Sequence, residues 1–136
     1  MEDRTYTAYF DGASKGNPGR CGAGGLVLDS DGRTVFEGSR FLSTMGSNNM
    51  AEYGGLLLVL AWCVANGVRD VMVYGDSLLV VSQVNGCWKV RASNLAPLHA
   101  EACRLKASIP SCTLEWVPRD RNSAADALAN AALRDK

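Results

Sequence analysis

The residues TYTAYF at 5–10 run directly into DGASKGNPGRCGAGG at 11–25, and the reading of these two pieces decides how the rest of the chain is arranged. All of the first piece except Ala8 is β-branched or aromatic, so it reads as a strand closed by Asp11-Gly12. The second holds six glycines and one proline. It reads as a loop in which the backbone either bends sharply or approaches a neighbour closely. Beyond it, apolar runs at 26–28 and 34–42 flank the sequence DSDG at 29–32, a hairpin signal. Three antiparallel strands therefore open the fold.

Ser47, Asn48 and Asn49 precede Met50, Tyr53, Leu57, Leu60, Ala61 and Val64, which recur at the three- and four-residue steps of an amphipathic helix ending at Asn66-Gly67. Gly54 and Gly55 lie inside it and cost about 1 kcal/mol each relative to Ala, so close packing against a neighbour is expected there. A short apolar run at 71–74 then enters Gly75-Asp76-Ser77, a buried strand leading into a helix capped near Asp76 or Ser77. Strand, helix and strand in succession imply parallel pairing. A helix over 78–84, another over 95–109 ended by Pro110, a fifth strand over 113–117 and a last helix over 123–133, capped by Asn122 or Ser123, complete the order β-β-β-α-β-α-α-β-α. The fold class is α/β, a five-stranded mixed sheet with helices on its faces.

The chain has 136 residues, 47% apolar and 21% charged, which suits a single globular domain over 1–136. Fourteen basic side chains balance fourteen acidic ones, so any polyanion must be met by a local patch. No apolar run approaches the roughly 18 residues that cross a bilayer, and the start MEDRTYTAYF does not resemble a signal peptide. A soluble, intracellular (cytoplasmic) protein without membrane partners is expected. Five scattered cysteines, with no CxxC pair, indicate neither a disulfide framework nor a zinc site.

Four acids sit where apolar elements ordinarily carry none. Asp11 ends the first strand, Glu52 falls in the first turn of the first long helix, Asp76 ends the fourth strand, and Asp126 lies in the first turn of the last helix. Each taken singly is an ordinary turn residue, cap or complement to a helix dipole. Taken as a set, carboxylates converging on one rim repel one another unless cations neutralise them. Hard oxygen ligands with no His or Cys among them suit Mg²⁺ or Mn²⁺.

The stretches YFDGASKGNPGRCGAG, SNNMAEY, YGDS and WVPRDRNSAADALAN, in this order and spacing, resemble the type 1 ribonuclease H family over nearly the whole chain. The resemblance implies a ribonuclease H-like five-stranded mixed sheet. It also implies an endonuclease that cuts the RNA strand of RNA/DNA hybrids with two metal ions, leaving 3′-hydroxyl and 5′-phosphate ends. The family's metal-binding acids fall on Asp11, Glu52, Asp76 and Asp126, with Asp11 shared between the ions, Glu52 and Asp76 helping to fix one, and Asp126 the other. Asn17, Asn48 and Asn49 stand where family members contact sugars and bases of the hybrid, and an amide suits the 2′-hydroxyl that distinguishes RNA. Ser47 and Asn94 resemble a pair that holds a DNA-strand phosphate. Asn17 equally suits a turn, and Asn48, Ser47 and Asn94 equally suit helix caps.

Trp88, Lys89 and Arg91 follow the turn at Asn85-Gly86 and form a local basic patch with an aromatic, able to stack on a nucleotide and track phosphate; Trp88 equally suits cover for a helix. The chain departs from the family in three respects. It lacks the longer lysine-rich handle of many bacterial members, it has no histidine in the loop 119–125, and Leu78 replaces a common polar residue. Its sole histidine, His99, lies mid-helix beside Glu101 and reads as a surface or partly packed residue. Arg119 or Arg121 stands where a side chain would meet the departing phosphate, though neither shuttles protons near neutral pH. Two other readings stay open: a non-catalytic nucleic-acid-binding module of the same fold, and an excised ribonuclease H domain of a reverse transcriptase. A monomer is expected.

Overall fold

The computed structural model describes residues 4–134. Its strands are β1 (Tyr6–Gly16), β2 (Gly19–Leu28), β3 (Thr34–Gly46), β4 (Asp70–Gly75) and β5 (Ser111–Trp116). Its helices are α1 (Asn48–Ala65), α2 (Leu78–Val84), α3 (Ala96–Ala107) and α4 (Ser123–Arg134), the last preceded by a 3₁₀ turn at Arg119–Arg121. The strands form one sheet in the order β3-β2-β1-β4-β5. Pairing is antiparallel from β3 to β1 and parallel from β1 to β5, as the sequence implied.

Residues 11–25 are not a loop. β1 runs through Asp11 to Gly16 and β2 starts at Gly19, so Asp11 sits mid-strand and the only turn is at Asn17-Pro18. The glycines serve close approach rather than bending. A Cβ on Gly12 would overlap the backbone of Ala51 and Glu52 in α1, and one on Gly24 would lie against the backbone of Ala129 in α4. Gly55 answers from the helix side, where a Cβ would collide with the backbone of Asp11. The double glycine expected to permit close packing does so.

Side chains alternate across a strand, and cross-strand partners share a face. On β2 a Cβ at Gly22 would meet Ala132 of α4, whereas one at Gly25 would meet Val59 of α1, so the two helices cover opposite faces. Beneath α1 the row Val27, Ala8, Val73 and Leu114 crosses four strands in register. It packs with Phe10, Leu56, Val59, Leu60, Val80 and Leu105 into the main core.

The helix starts depart from expectation in two places. The Ser47 hydroxyl caps α1 by accepting from Met50 N–H at 3.1 Å, which puts Glu52 in the second turn, beyond the reach of the terminal dipole. For α3 the cap position is Leu95, with no side-chain cap bond and a proline in the first turn, so Asn94 is not its cap. Helix α4 begins where expected, the Asn122 carbonyl accepting from Asp126 N–H at 3.0 Å, while the Asn122 amide reaches across the fold to the Phe10 carbonyl at 2.8 Å. The hairpin at 29–32 forms as expected, with the Asp29 carboxylate accepting from Asp31 and Arg33 N–H. Ser77 caps α2 through Val80 N–H.

Candidate active site

Parallel pairing of β1 with β4 ends at Phe10 and Gly75, so the residues that follow, Asp11 still within β1 and Asp76 just beyond the end of β4 rather than at it, are brought together. Helix α1 presses on the same point through Gly12 and Gly55 and brings Glu52 to them. Carboxylate oxygens of Asp11, Glu52 and Asp76 lie within 4.8 Å of one another. The cluster is largely sealed from water: Asp11 is 3% exposed and the Asp76 side chain 6%.

Charges packed this way hold on to protons. Burial, then repulsion from Asp76 with a smaller push from Asp126, raises Asp11 to about 7, although bonds from Glu52 and Gly12 N–H oppose the rise. Burial, then the neighbouring Asp11, raises Glu52 to about 10. Two buried oxygens, Oε1 of Glu52 and Oδ2 of Asp76, have no hydrogen-bond partner. The guanidinium of Arg119 stands 3.9 Å from Asp76 Oδ2, too far for a hydrogen bond, and its side chain is 87% exposed, so solvent screens most of its charge. A buried cluster of all-oxygen donors with orphaned lone pairs fits one or more hard divalent cations.

Asp126 stands apart from this group of three. It lies in the first turn of α4, as expected, and accepts from Asn130 Nδ2 at 3.2 Å, while its charge is still felt at Asp11. The amide of Asn122, 1% exposed, ties the start of α4 to the backbone next to Asp11. Trp116, at the end of β5, donates its indole N–H to the Asp76 carbonyl at 3.2 Å. Sequence reading treated Asn122 as a cap only and passed over Trp116. The polar residue just ahead of an acid-bearing helix was the available signal for Asn122.

The other expected contact residues fall into two groups along the chain. Asn17, at the tip of the β1-β2 hairpin, accepts from Asn48 N–H at 3.1 Å and so joins that tip to the start of α1. Asn48 is exposed, Asn49 half-buried, and Ser47 is occupied as the cap. Trp88 is 48% exposed, and Lys89, Arg91 and Asn94 are exposed as well. His99 is partly packed, its Nε2 3.1 Å from the Gln83 carbonyl, while Glu101 pairs with Arg104 instead.

A mixed sheet in this strand order, with acids from β1, from α1 and from just past the end of β4 meeting at one rim, defines a chain of the ribonuclease H fold. A family model described as "Reverse transcriptase-like" matches residues 9–132. The chain is 42% identical over 123 residues to the "Bifunctional protein Rv2228c" of Mycobacterium tuberculosis, covering 90% of this chain and 34% of that protein. It thus spans about a third of the length of that relative. The RNase H1 structure from Halobacterium salinarum superposes with a TM-score of 0.91 at 38% identity, covering 97% of this chain and 99% of that one. LC11-RNase H1, solved in complex with an RNA/DNA hybrid, gives 0.86 at 32% identity, with 93% and 95% covered. The chain belongs to the type 1 ribonuclease H family.

Proposed function

We propose that the chain hydrolyses the RNA strand of RNA/DNA hybrids, leaving 3′-hydroxyl and 5′-phosphate ends, with Mg²⁺ or Mn²⁺ as cofactor. The observation that carries this reading is the close trio Asp11, Glu52 and Asp76, with two buried oxygens lacking any hydrogen-bond partner. Asp11 would be shared between two ions, Glu52 and Asp76 helping to hold one and Asp126 the other. Such ions supply an activated water and stabilise charge on the leaving oxygen.

The protein's own residues do the rest. The backbone contacts at Gly12, Gly24 and Gly55 hold the elements that carry the carboxylates, and the Asn122 tether fixes the start of α4, whose Asp126 is felt electrostatically at Asp11. Asn17, Asn48 and Asn49 offer amides to the hybrid's sugars and bases, where the 2′-hydroxyl marks the RNA strand. Ser47 and Asn94 would take a phosphate of the DNA strand, and Trp88 with Lys89 and Arg91 would grip its backbone. The exposed Arg119 would meet the departing phosphate. Residues 1–136 act in this reading as one domain, monomeric and in an intracellular setting. Among the described residues no helix is long and apolar enough to cross a membrane. The matching model's description keeps the reverse transcriptase origin open beside a free-standing enzyme.

A non-catalytic binding module accounts poorly for this rim, because buried negative charge facing phosphates weakens association. The deciding experiment presents end-labelled RNA as a hybrid, single strand and RNA duplex, with Mg²⁺, with Mn²⁺ and with chelator. Cleavage confined to the hybrid and to ion-containing samples is expected. Binding of hybrid without cleavage in either ion would establish the module instead.

A further inference from the structure

Gln83 is a buried polar side chain, 5% exposed, that the acid chemistry does not use. It lies in α2 between two regions of opposite character. Its Oε1 accepts from the Tyr53 hydroxyl at 2.7 Å, and its Nε2 donates to the Lys89 carbonyl at 3.3 Å. Tyr53 is fully buried and follows Glu52 directly in α1, whereas Lys89 belongs to the exposed basic segment. The Gln83 carbonyl in turn accepts from His99 Nε2 of α3 at 3.1 Å, which assigns the proton to that nitrogen, and Cys103 Sγ lies 3.4 Å from the same atom.

The segment that follows α2 is held at Asn85, whose amide donates to the Leu114 carbonyl at 2.9 Å, and at Val90, which packs partly buried against the core. It passes Gly86 in the left-handed region (φ 83°), and Cys87 and Trp88 N–H both donate to the Ser82 carbonyl at 2.8 and 3.2 Å. Trp88, Lys89 and Arg91 project into solvent. The side-chain bond to the Lys89 backbone therefore comes from Gln83. A primary amide is suited to this place because it accepts from one side and donates to the other; an apolar residue does neither, and a carboxylate cannot donate. A buried group with both bonds made fixes geometry, since breaking either leaves a polar atom without a partner.

We infer that Gln83 is a positioning residue for hybrid binding: bridging Tyr53 of the acid-bearing helix to the Lys89 backbone, it aims the Trp88-Lys89-Arg91 patch at the nucleic acid. This inference rests on the function proposed above and deepens it. Affinity thereby becomes a property of the buried network as well as of the exposed cations. Loss of the bridge releases the patch and leaves the carboxylates in place.

The test compares Gln83→Met, which keeps volume, and Tyr53→Phe, which removes one hydroxyl, with wild type and a Lys89→Ala plus Arg91→Ala double variant. Cleavage of the hybrid in Mg²⁺ gives kcat and KM, hybrid binding by each variant in an Asp76→Asn background gives the salt slope, and thermal melting reports folding. Gln83→Met is expected to raise KM about fivefold with kcat within about twofold of wild type, and Tyr53→Phe to raise KM about twofold. The slope of log affinity against log salt should flatten by about one unit in Gln83→Met as a phosphate contact is lost. A wild-type KM and salt slope in a cooperatively melting Gln83→Met, beside a weakened double variant, overturns this inference alone. So does a fall in kcat at unchanged KM, which would place the network's effect on the acids. If Gln83→Met does not melt cooperatively, Tyr53→Phe decides: a raised KM supports the bridge and a wild-type KM overturns it. A wild type that neither binds nor cuts the hybrid overturns both the inference and the function beneath it.

Discussion

The rim holding Asp11, Glu52 and Asp76 and the segment from Asn85 to Asn94 are both read as touching nucleic acid, yet they are built by opposite means. At the rim, strands and helices meet backbone to backbone, and the charged groups are sealed in, with two oxygens lacking partners. In the segment, most side chains stand in solvent, and the chain is steadied by backbone bonds to Ser82 and Gln83, by the Asn85 amide on Leu114 and by Val90 against the core. The rim keeps its geometry at the expense of charge repulsion, and the segment keeps its charges solvated at the expense of geometry. Mutations at the rim should therefore change chemistry and stability together, and mutations of the segment's exposed side chains should change affinity with stability left nearly unchanged.

The widest separation is expected in turnover. Asp11→Asn should lower cleavage of a labelled hybrid at least about a thousandfold with unchanged circular dichroism, since an amide keeps shape and cannot support divalent cations. A folded Asp11→Asn with wild-type turnover would remove the rim from the chemistry. Stability should separate the regions next. Gly12→Ala forces a methyl into the backbone of Ala51 and Glu52 and should cost about 3 kcal/mol or more in urea unfolding. Gly86→Ala meets open space and only the left-handed backbone strain, about 1 kcal/mol. Equal costs would mean that α1 does not press on β1 as described.

The protons at the rim give a smaller effect with a definite sign. Asp11 and Glu52 bind protons more tightly folded than unfolded, so without metal the unfolded chain releases protons first as pH rises. Stability is then highest below the ordinary carboxylate range and falls as pH climbs through about 7 for Asp11 and on toward about 10 for Glu52. In chelator at pH 8, Glu52→Gln should melt above wild type by several degrees, corresponding to roughly 1 kcal/mol or more in a domain of this size. A variant that melts lower at pH 8 and follows the wild-type pH dependence would contradict the burial argument. Last, Lys89→Ala and Arg91→Ala should each flatten the salt dependence of hybrid binding by roughly one unit while leaving melting unchanged. An unaltered slope would misplace the patch.

How far these two regions could be read in the sequence follows from the same contrast. The period-two and helical patterns gave the order of elements and the mixed sheet, because burial on one face leaves its mark on residue type. The residues 11–25 misled because glycine reports two different conditions, a bend and a close approach, and only the helices pressing on Gly12 and Gly24 distinguish them. The same ambiguity placed Asp11 at a strand end instead of mid-strand. Glu52 was assigned a turn too early because the cap is Ser47 rather than a later residue. The acids were visible as charges in apolar elements, whereas the Tyr53-Gln83-His99 network was not, since tyrosine, glutamine and histidine at those spacings fit a surface as readily as a buried chain of bonds.

The claim on which the rest stands is that the rim is a cation site, and melting at pH 8 tests it without any substrate. Wild type should melt lowest in chelator and rise saturably as Mn²⁺ or Mg²⁺ is added, because an ion that binds only the folded state stabilises it and relieves the repulsion among Asp11, Glu52 and Asp76. Asp76→Asn should start higher and rise much less. Identical metal-dependent rises in the two proteins, or none in wild type at millimolar ion, would contradict the account.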